Sequence, residues 1–132
     1  LADYAKSFDI TLCIEPVVSK YSCDFICNTE EAVQLLESVG HSHFKLLLDI
    51  GNLISNKEHC EQSIRKHIHH IAHIHANDPH LFPPSIGMAQ HSTIANTLQS
   101  VGYSDWVTLE FLYCYTSLEK DLIYGLECYG SS

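Results

Sequence analysis

The 132 residues are enough for one compact core and, on length alone, one domain spanning 1–132 is expected. Sixteen acidic against seven basic side chains give a formal charge of −9 with histidine neutral, which repels phosphate-rich partners at long range and argues against nucleic acid. No apolar run approaches the ~20 residues needed to cross a bilayer and no secretory leader is legible, so no membrane partner is expected and the default is a soluble, cytoplasmic protein.

The chain opens on "LADYAKSF", which reads as the end of a helix. Four short apolar runs then read as strands: "DITLCIE" (9–15), "HFKLLLD" (43–49), "HIAHIHA" (70–76) and "WVTLEFL" (106–112). Helical segments separate them. "CNTEEAVQLLESVG" offers Asn28 and Thr29 as caps, carries acids in its first turn and stops at Gly40. "SNKEHCEQSIRKHI" is expected to start at Ser55 or Asn56, with Cys60, Ile64 and Ile68 four apart. "GMAQHSTIANTLQSVG" places Ile94, Leu98 and Val101 on one face, and "LEKDLIYGLE" closes the series. Strict alternation of strand and helix predicts an α/β fold with parallel strands under covering helices. The loop "PHLFPPSIG", with three of four prolines, is long for a strand-to-helix connection and resembles a shaped site loop.

Six cysteines, Cys13, Cys23, Cys27, Cys60, Cys114 and Cys128, could pair in principle. Positions inside apolar runs, as for Cys13 in "ITLCIE", favour free thiols. Cys23 and Cys27 lack both the two-residue spacing and the second pair of a structural zinc site.

Each strand ends in or near an unusual polar residue: Glu15, Asp49, His75 and Glu110. In a parallel α/β sheet or barrel the C-terminal strand ends open on one face, so these four converge. Three carboxylates without a cation would repel one another, whereas a divalent ion turns that cost into coordination. One imidazole with three carboxylates suits Mn²⁺, Mg²⁺, Co²⁺ or Zn²⁺. Taken singly, Glu15 also fits a loop cap, Asp49 a chain turn, Glu110 a solvated edge and His75 a hydrogen-bonded core residue. Four such coincidences at successive strand ends are less probable than one shared site.

Four blocks, "ITLCIEPV", "FKLLLDIGNL", "AHIHANDPHLFPPSIG" and "GYSDWVTLEFL", resemble in order the strand-end blocks of the xylose isomerase-like sugar isomerase and epimerase superfamily. The separations of 34, 26 and 35 residues between Glu15, Asp49, His75 and Glu110 are similar to those of its ketose 3-epimerase branch. The resemblance implies the C-terminal half, about four strands, of a (β/α)₈ TIM barrel, with these four residues on one divalent metal. It implies an isomerase or epimerase that moves a proton through an enediolate of a small sugar-like or hydroxy-keto acid substrate, with Glu15 and Glu110 as acid and base. Asn52 and Asn77, shortly after two of the ligands, are candidates for substrate hydroxyls, with turn formation as the alternative. His73 shares the side of its strand with His75 and is expected one layer below it, as a support to a carboxylate or as packing. His67, His69, His70 and His80 fit helix ends and loops.

Three positions depart from the epimerase pattern: Tyr21 stands where a second acid follows the first glutamate, Asn52 where a histidine contacts substrate, and Leu81 where an arginine precedes the proline loop. The substrate is therefore open. The other readings are a catalytically silent metal-binding fragment or paralogue and an apurinic-site endonuclease, the latter poorly served by an acidic chain. Four strands also leave a sheet with open edges, so self-association or a missing N-terminal half is expected.

Overall fold

The computed structural model describes residues 1–112 and 117–130; Cys114 lies outside them. Strands β1 (Leu12–Ile14), β2 (Phe44–Asp49), β3 (Ile71–Ala76) and β4 (Val107–Leu109) form one parallel sheet in the order β1-β2-β3-β4. The helices are α1 (Ala2–Lys6), α2 (Thr29–Val39), α3 (Ile50–Ser55), α4 (Cys60–His67), α5 (His91–Ser100) and α6 (Leu118–Tyr129). Each strand lies beside the one before it in sequence, the winding of an α/β barrel, and four such units make half of one.

The two central strands are near-continuous apolar runs because both of their edges are paired and one face is covered. Leu46, Leu48 and Ile74 point from the sheet into a core completed by Ala32, Val33 and Leu36 of α2, Ile64 of α4, and Ile94 and Leu98 of α5. The other face bears Glu15, Asp49, His75 and Glu110 at its upper rim and is largely open: Cys13 and Thr108 are exposed, and Trp106 is 80% exposed.

Helix α2 shows how local chemistry sets the boundaries. The Asn28 side chain accepts the Glu31 N–H at 3.0 Å, and the Glu31 carboxylate accepts the Cys27 N–H at 2.7 Å, so two otherwise orphaned donors are satisfied reciprocally. Gly40 ends the helix in the left-handed region at φ 62°, where a side chain would be strained.

A single irregularity in the sheet decides which side chains reach the rim. Leu46 pairs with Ile71, but Leu47 pairs with His73, so one extra residue, Ala72, is accommodated in β3. Without it Asp49 would lie beside Ile74. With it Asp49 lies beside His75, because a shift of one residue exchanges the two faces of a strand.

The expected helix beginning at Ser55 or Asn56 is corrected. Ser55 instead closes the short α3, Lys57 takes a left-handed backbone at φ 60°, and α4 starts only at Cys60. The break follows from Asp49, whose carboxylate caps α3 from the strand end and starts a helix at Ile50, five or six residues earlier than the apolar spacing indicates. Within the proline loop, Asp78 and Phe82 exchange backbone hydrogen bonds of 2.8 and 3.2 Å, His80 and Leu81 adopt positive φ, and Pro84–Ile86 form a 3₁₀ turn. Among the described residues no helix is long and apolar enough to cross a membrane.

Candidate metal centre

Glu15 and Glu110 directly follow β1 and β4, Asp49 ends β2, and His75 is next to last in β3. Parallel strands put all four on one rim. Each offers one donor atom, and these four atoms lie within 4.8 Å of one another. Donors held about 2.0–2.6 Å from a common ion stand about 3–5 Å apart, so the set has the dimensions of one divalent site.

The imidazole supplies the sharpest indication of what the cluster fits. His75 Nδ1 is buried and has no aligned hydrogen-bond partner among the described residues. It nevertheless lies 2.8 Å from Glu110 Oε2, 3.8 Å from Glu15 Oε1 and 4.0 Å from Asp49 Oδ2. A buried nitrogen set among three carboxylates with no aligned bond to any of them is positioned to serve as the imidazole ligand of an ion at their shared centre. The Glu15 carboxylate, then those of Glu110 and Asp49, raises the His75 pKa above the usual imidazole range despite the opposing pull of burial.

Asp49 is the buried member, 4% exposed. Burial pushes its pKa up to about 6, and the negative charges of Glu15 and Glu110 add to that rise. The Asn52 N–H and the Asn77 amide pull the other way. The group is thus a carboxylate held in an environment that favours a cation.

Asn52 donates its side-chain amide to the Pro16 carbonyl at 3.3 Å, tying the loop after Glu15 to α3. Asn77 is buried, and its amide bridges Gly51 and Asp49. His73 contacts Thr108 Oγ1 at 2.8 Å and stacks edge-on against the His75 ring, so it supports a hydroxyl and a neighbouring imidazole rather than a carboxylate. His67 ends α4, while His69, His70 and His80 lie in turns. Tyr21 is exposed on the turn after β1.

A second polar cluster carries no motif in the sequence. The fully buried Asp78 accepts the N–H groups of Met88 and Ala89, each at 2.8 Å, and contacts His91 Nε2 at 3.2 Å; His91 Nδ1 meets the Tyr129 hydroxyl at 2.7 Å. These bonds close the base of the proline loop onto α5 and α6. Only the position of Asp78, three residues past His75 and just before the loop, signals it.

The family model described as xylose isomerase-like TIM barrel matches residues 1–129. A D-psicose 3-epimerase of Enterocloster bolteae is 27% identical over 111 residues, covering 83% of this chain and 36% of that protein. A 3-keto-D-glucoside 4-epimerase from E. coli superposes with a TM-score of 0.87 at 16% identity, over 96% of this chain and 49% of that one. A family 2 AP endonuclease from Brucella melitensis gives 0.86 at 25% identity over the same shares. The chain therefore spans about half or less of the length of the proteins it matches.

Proposed function

Since the chain belongs to the xylose isomerase-like TIM barrel family, we propose that its four rim residues hold one divalent ion, Mn²⁺, Mg²⁺, Co²⁺ or Zn²⁺, and serve an isomerase or epimerase acting on a small sugar or hydroxy-keto acid. The observation that carries this reading is the convergence of Glu15, Asp49, His75 and Glu110 donor atoms within 4.8 Å. The D-psicose 3-epimerase relative supports the substrate class.

The residues divide by exposure. Asp49 and His75, the better buried pair on the central strands, act as fixed ligands. The side chains of Glu15 and Glu110 are 31% and 43% exposed on the two outer strands. They flank the centre from opposite sides and reach a substrate in the mouth. When bound, the ion supplies Lewis-acid polarisation of a carbonyl and its neighbouring hydroxyl. Glu15 and Glu110 then remove a proton from the intervening carbon and return it, each serving one face. Asn52, half-buried beside the rim, is the residue we assign to a substrate hydroxyl.

The test is carbon-bound deuterium. Incubation with Mn²⁺ and a panel of ketoses and hydroxy-keto acids in deuterated water is expected to label the carbon beside the carbonyl, and Glu15→Gln and Glu110→Gln each abolish the label. Ion binding without label in any member of the panel overturns catalysis and leaves a silent metal-binding paralogue.

The Brucella AP endonuclease similarity raises a second reading, abasic-site cleavage. A charge of −9 with only seven basic residues opposes a DNA-facing surface, and no cleavage of an abasic duplex is expected. The open face of the sheet is completed, in this proposal, by another half-barrel, from the N-terminal part of a longer chain or from a second copy.

A further inference from the structure

We propose that Asn77 is a positioning residue that locks the Asp49 carboxylate in its ion-binding orientation, a role distinct from the substrate contact its place in the sequence suggests. This rests on Asp49 being a ligand of the four-residue centre.

Asn77 is 1% exposed, so its amide has no recourse to solvent. Its Oδ1 accepts the Gly51 N–H at 2.7 Å, and its Nδ2 donates to Asp49 Oδ2 at 2.7 Å. The first bond fixes which end of the amide is which: a backbone N–H can only donate, so the oxygen must face Gly51 and the NH₂ must face Asp49. The other Asp49 oxygen is held by the Asn52 N–H at 2.6 Å. Both carboxylate oxygens are therefore pinned, one from the chain that follows Asp49 and one from the neighbouring strand's end. The oxygen that Asn77 holds is the one 4.0 Å from His75 Nδ1. An ionised carboxylate oxygen has two lone pairs, so one serves Asn77 and one remains for the shared centre.

Gly51 is part of the device, for reasons of space rather than of backbone angle. A Cβ there would stand 2.7 Å from Asn77 Oδ1 and 2.8 Å from the Asp78 carbonyl oxygen, closer than side chains approach. Any larger residue displaces the Asn77 amide. Glycine at 51 and asparagine at 77 thus make one unit, built by bringing the end of β2 against the end of β3.

Without the lock, a carboxylate about its broad terminal torsion has to be ordered by the incoming ion, and losses of outer partners of metal ligands weaken affinity about 10–100-fold. The measurement is the Mn²⁺ dissociation constant of the whole chain, by calorimetry, for wild type, Asn77→Leu and Gly51→Ala, with circular dichroism to establish folding. Each variant is expected to bind Mn²⁺ about 10–100-fold more weakly while folded, and the visible spectrum of bound Co²⁺ shifts. A purely structural role lowers the melting temperature but leaves the affinity of the folded protein unchanged; affinity within twofold of wild type in either folded variant overturns the proposal. A measurement on wild type covers the case in which neither variant folds: the Asn77 side-chain amide resonance shifts on saturation with Zn²⁺, and an unmoved resonance overturns the proposal equally. Absence of Mn²⁺ binding by wild type sinks the four-residue centre itself, whereas wild-type binding with unchanged variants sinks only the lock.

Discussion

Nδ1 of His75 stands 2.8 Å from Oε2 of Glu110 and yet makes no aligned hydrogen bond among the described residues. An ion between them would give both atoms a partner. Purified protein dialysed against Mn²⁺ is therefore expected to retain one equivalent, and His75→Ala or Glu110→Gln to lose most of it. Elemental analysis checks this. Unchanged content in both variants rules out the assignment.

Asp49 carries a cost in the metal-free protein, and its pH dependence has a defined sign. Its folded pKa, about 6, is above the 3.8 of a free side chain, so the folded state binds more protons than the unfolded one between those values. Stability from this group is then greatest below about pH 4 and declines as pH rises through 6. Asp49→Asn removes the buried charge but leaves one of the two donors, the Asn52 N–H or the Asn77 amide, without an acceptor at every pH. The stability difference between the metal-free variant and wild type is therefore expected to move in the variant's favour by on the order of 2 kcal/mol from pH 4 to pH 8, while Mn²⁺ affinity is lost. Denaturant titrations at both values decide it; a difference independent of pH shows that burial of the charge is not the cause.

The α2 cap predicts an effect on stability alone. Asn28→Ala removes the acceptor for the Glu31 N–H and is expected to cost about 1 kcal/mol. Mn²⁺ affinity is expected to stay at the wild-type value, because the bond that is lost joins Asn28 to Glu31 and includes none of the four rim residues. A matching loss of affinity would show that α2 and the centre are coupled.

The buried pair under the proline loop is a larger liability. Asp78→Ala strips the acceptor from the Met88 and Ala89 N–H groups and leaves His91 without its carboxylate. A buried donor left without its acceptor costs about 1–3 kcal/mol, so loss of these bonds is expected to lower stability by several kcal/mol. A chemical-denaturation midpoint close to wild type would contradict the network's role in closing the loop.

How much of this was legible before the structure differs by element, for physical reasons. β2 and β3 are long apolar runs whose end residues, Asp49 and His75, carry their own signal, and the Asn28 and Gly40 boundaries of α2 are local chemistry. β1 and β4 are shorter than their apolar runs, three residues each, because outer strands have one paired neighbour and pairing stops where the partner ends. Helix α3 escaped notice because the residue that starts it, Asp49, also reads as a strand end. The bulge at Ala72 is likewise invisible: strand periodicity in "HIAHIHA" does not reveal where its partner slips. Asn77 reads from the sequence as polar and near the rim, but its bonds to Gly51 and Asp49 span 26 and 28 residues, and no local pattern encodes a contact across two strand ends.

The last expectation concerns the open face. Apolar residues crowd both edges of the sheet, with Phe8 and Ile10 exposed before β1 and Trp106 exposed before β4. Parallel pairing of β4 with β1 of another half would bury them and close the barrel. Trp106 is the chain's single tryptophan, so it reports the event directly. If a second copy supplies the closure, sedimentation at micromolar concentration gives a mass above the 14.9 kDa of one chain, and Trp106 emission moves to shorter wavelength as concentration rises. Because each copy carries −9, added salt screens the repulsion and favours association. A monomer at every concentration and salt level, with emission fixed at the wavelength of a solvated indole, contradicts closure by pairing and leaves the N-terminal part of a longer chain as the completing half.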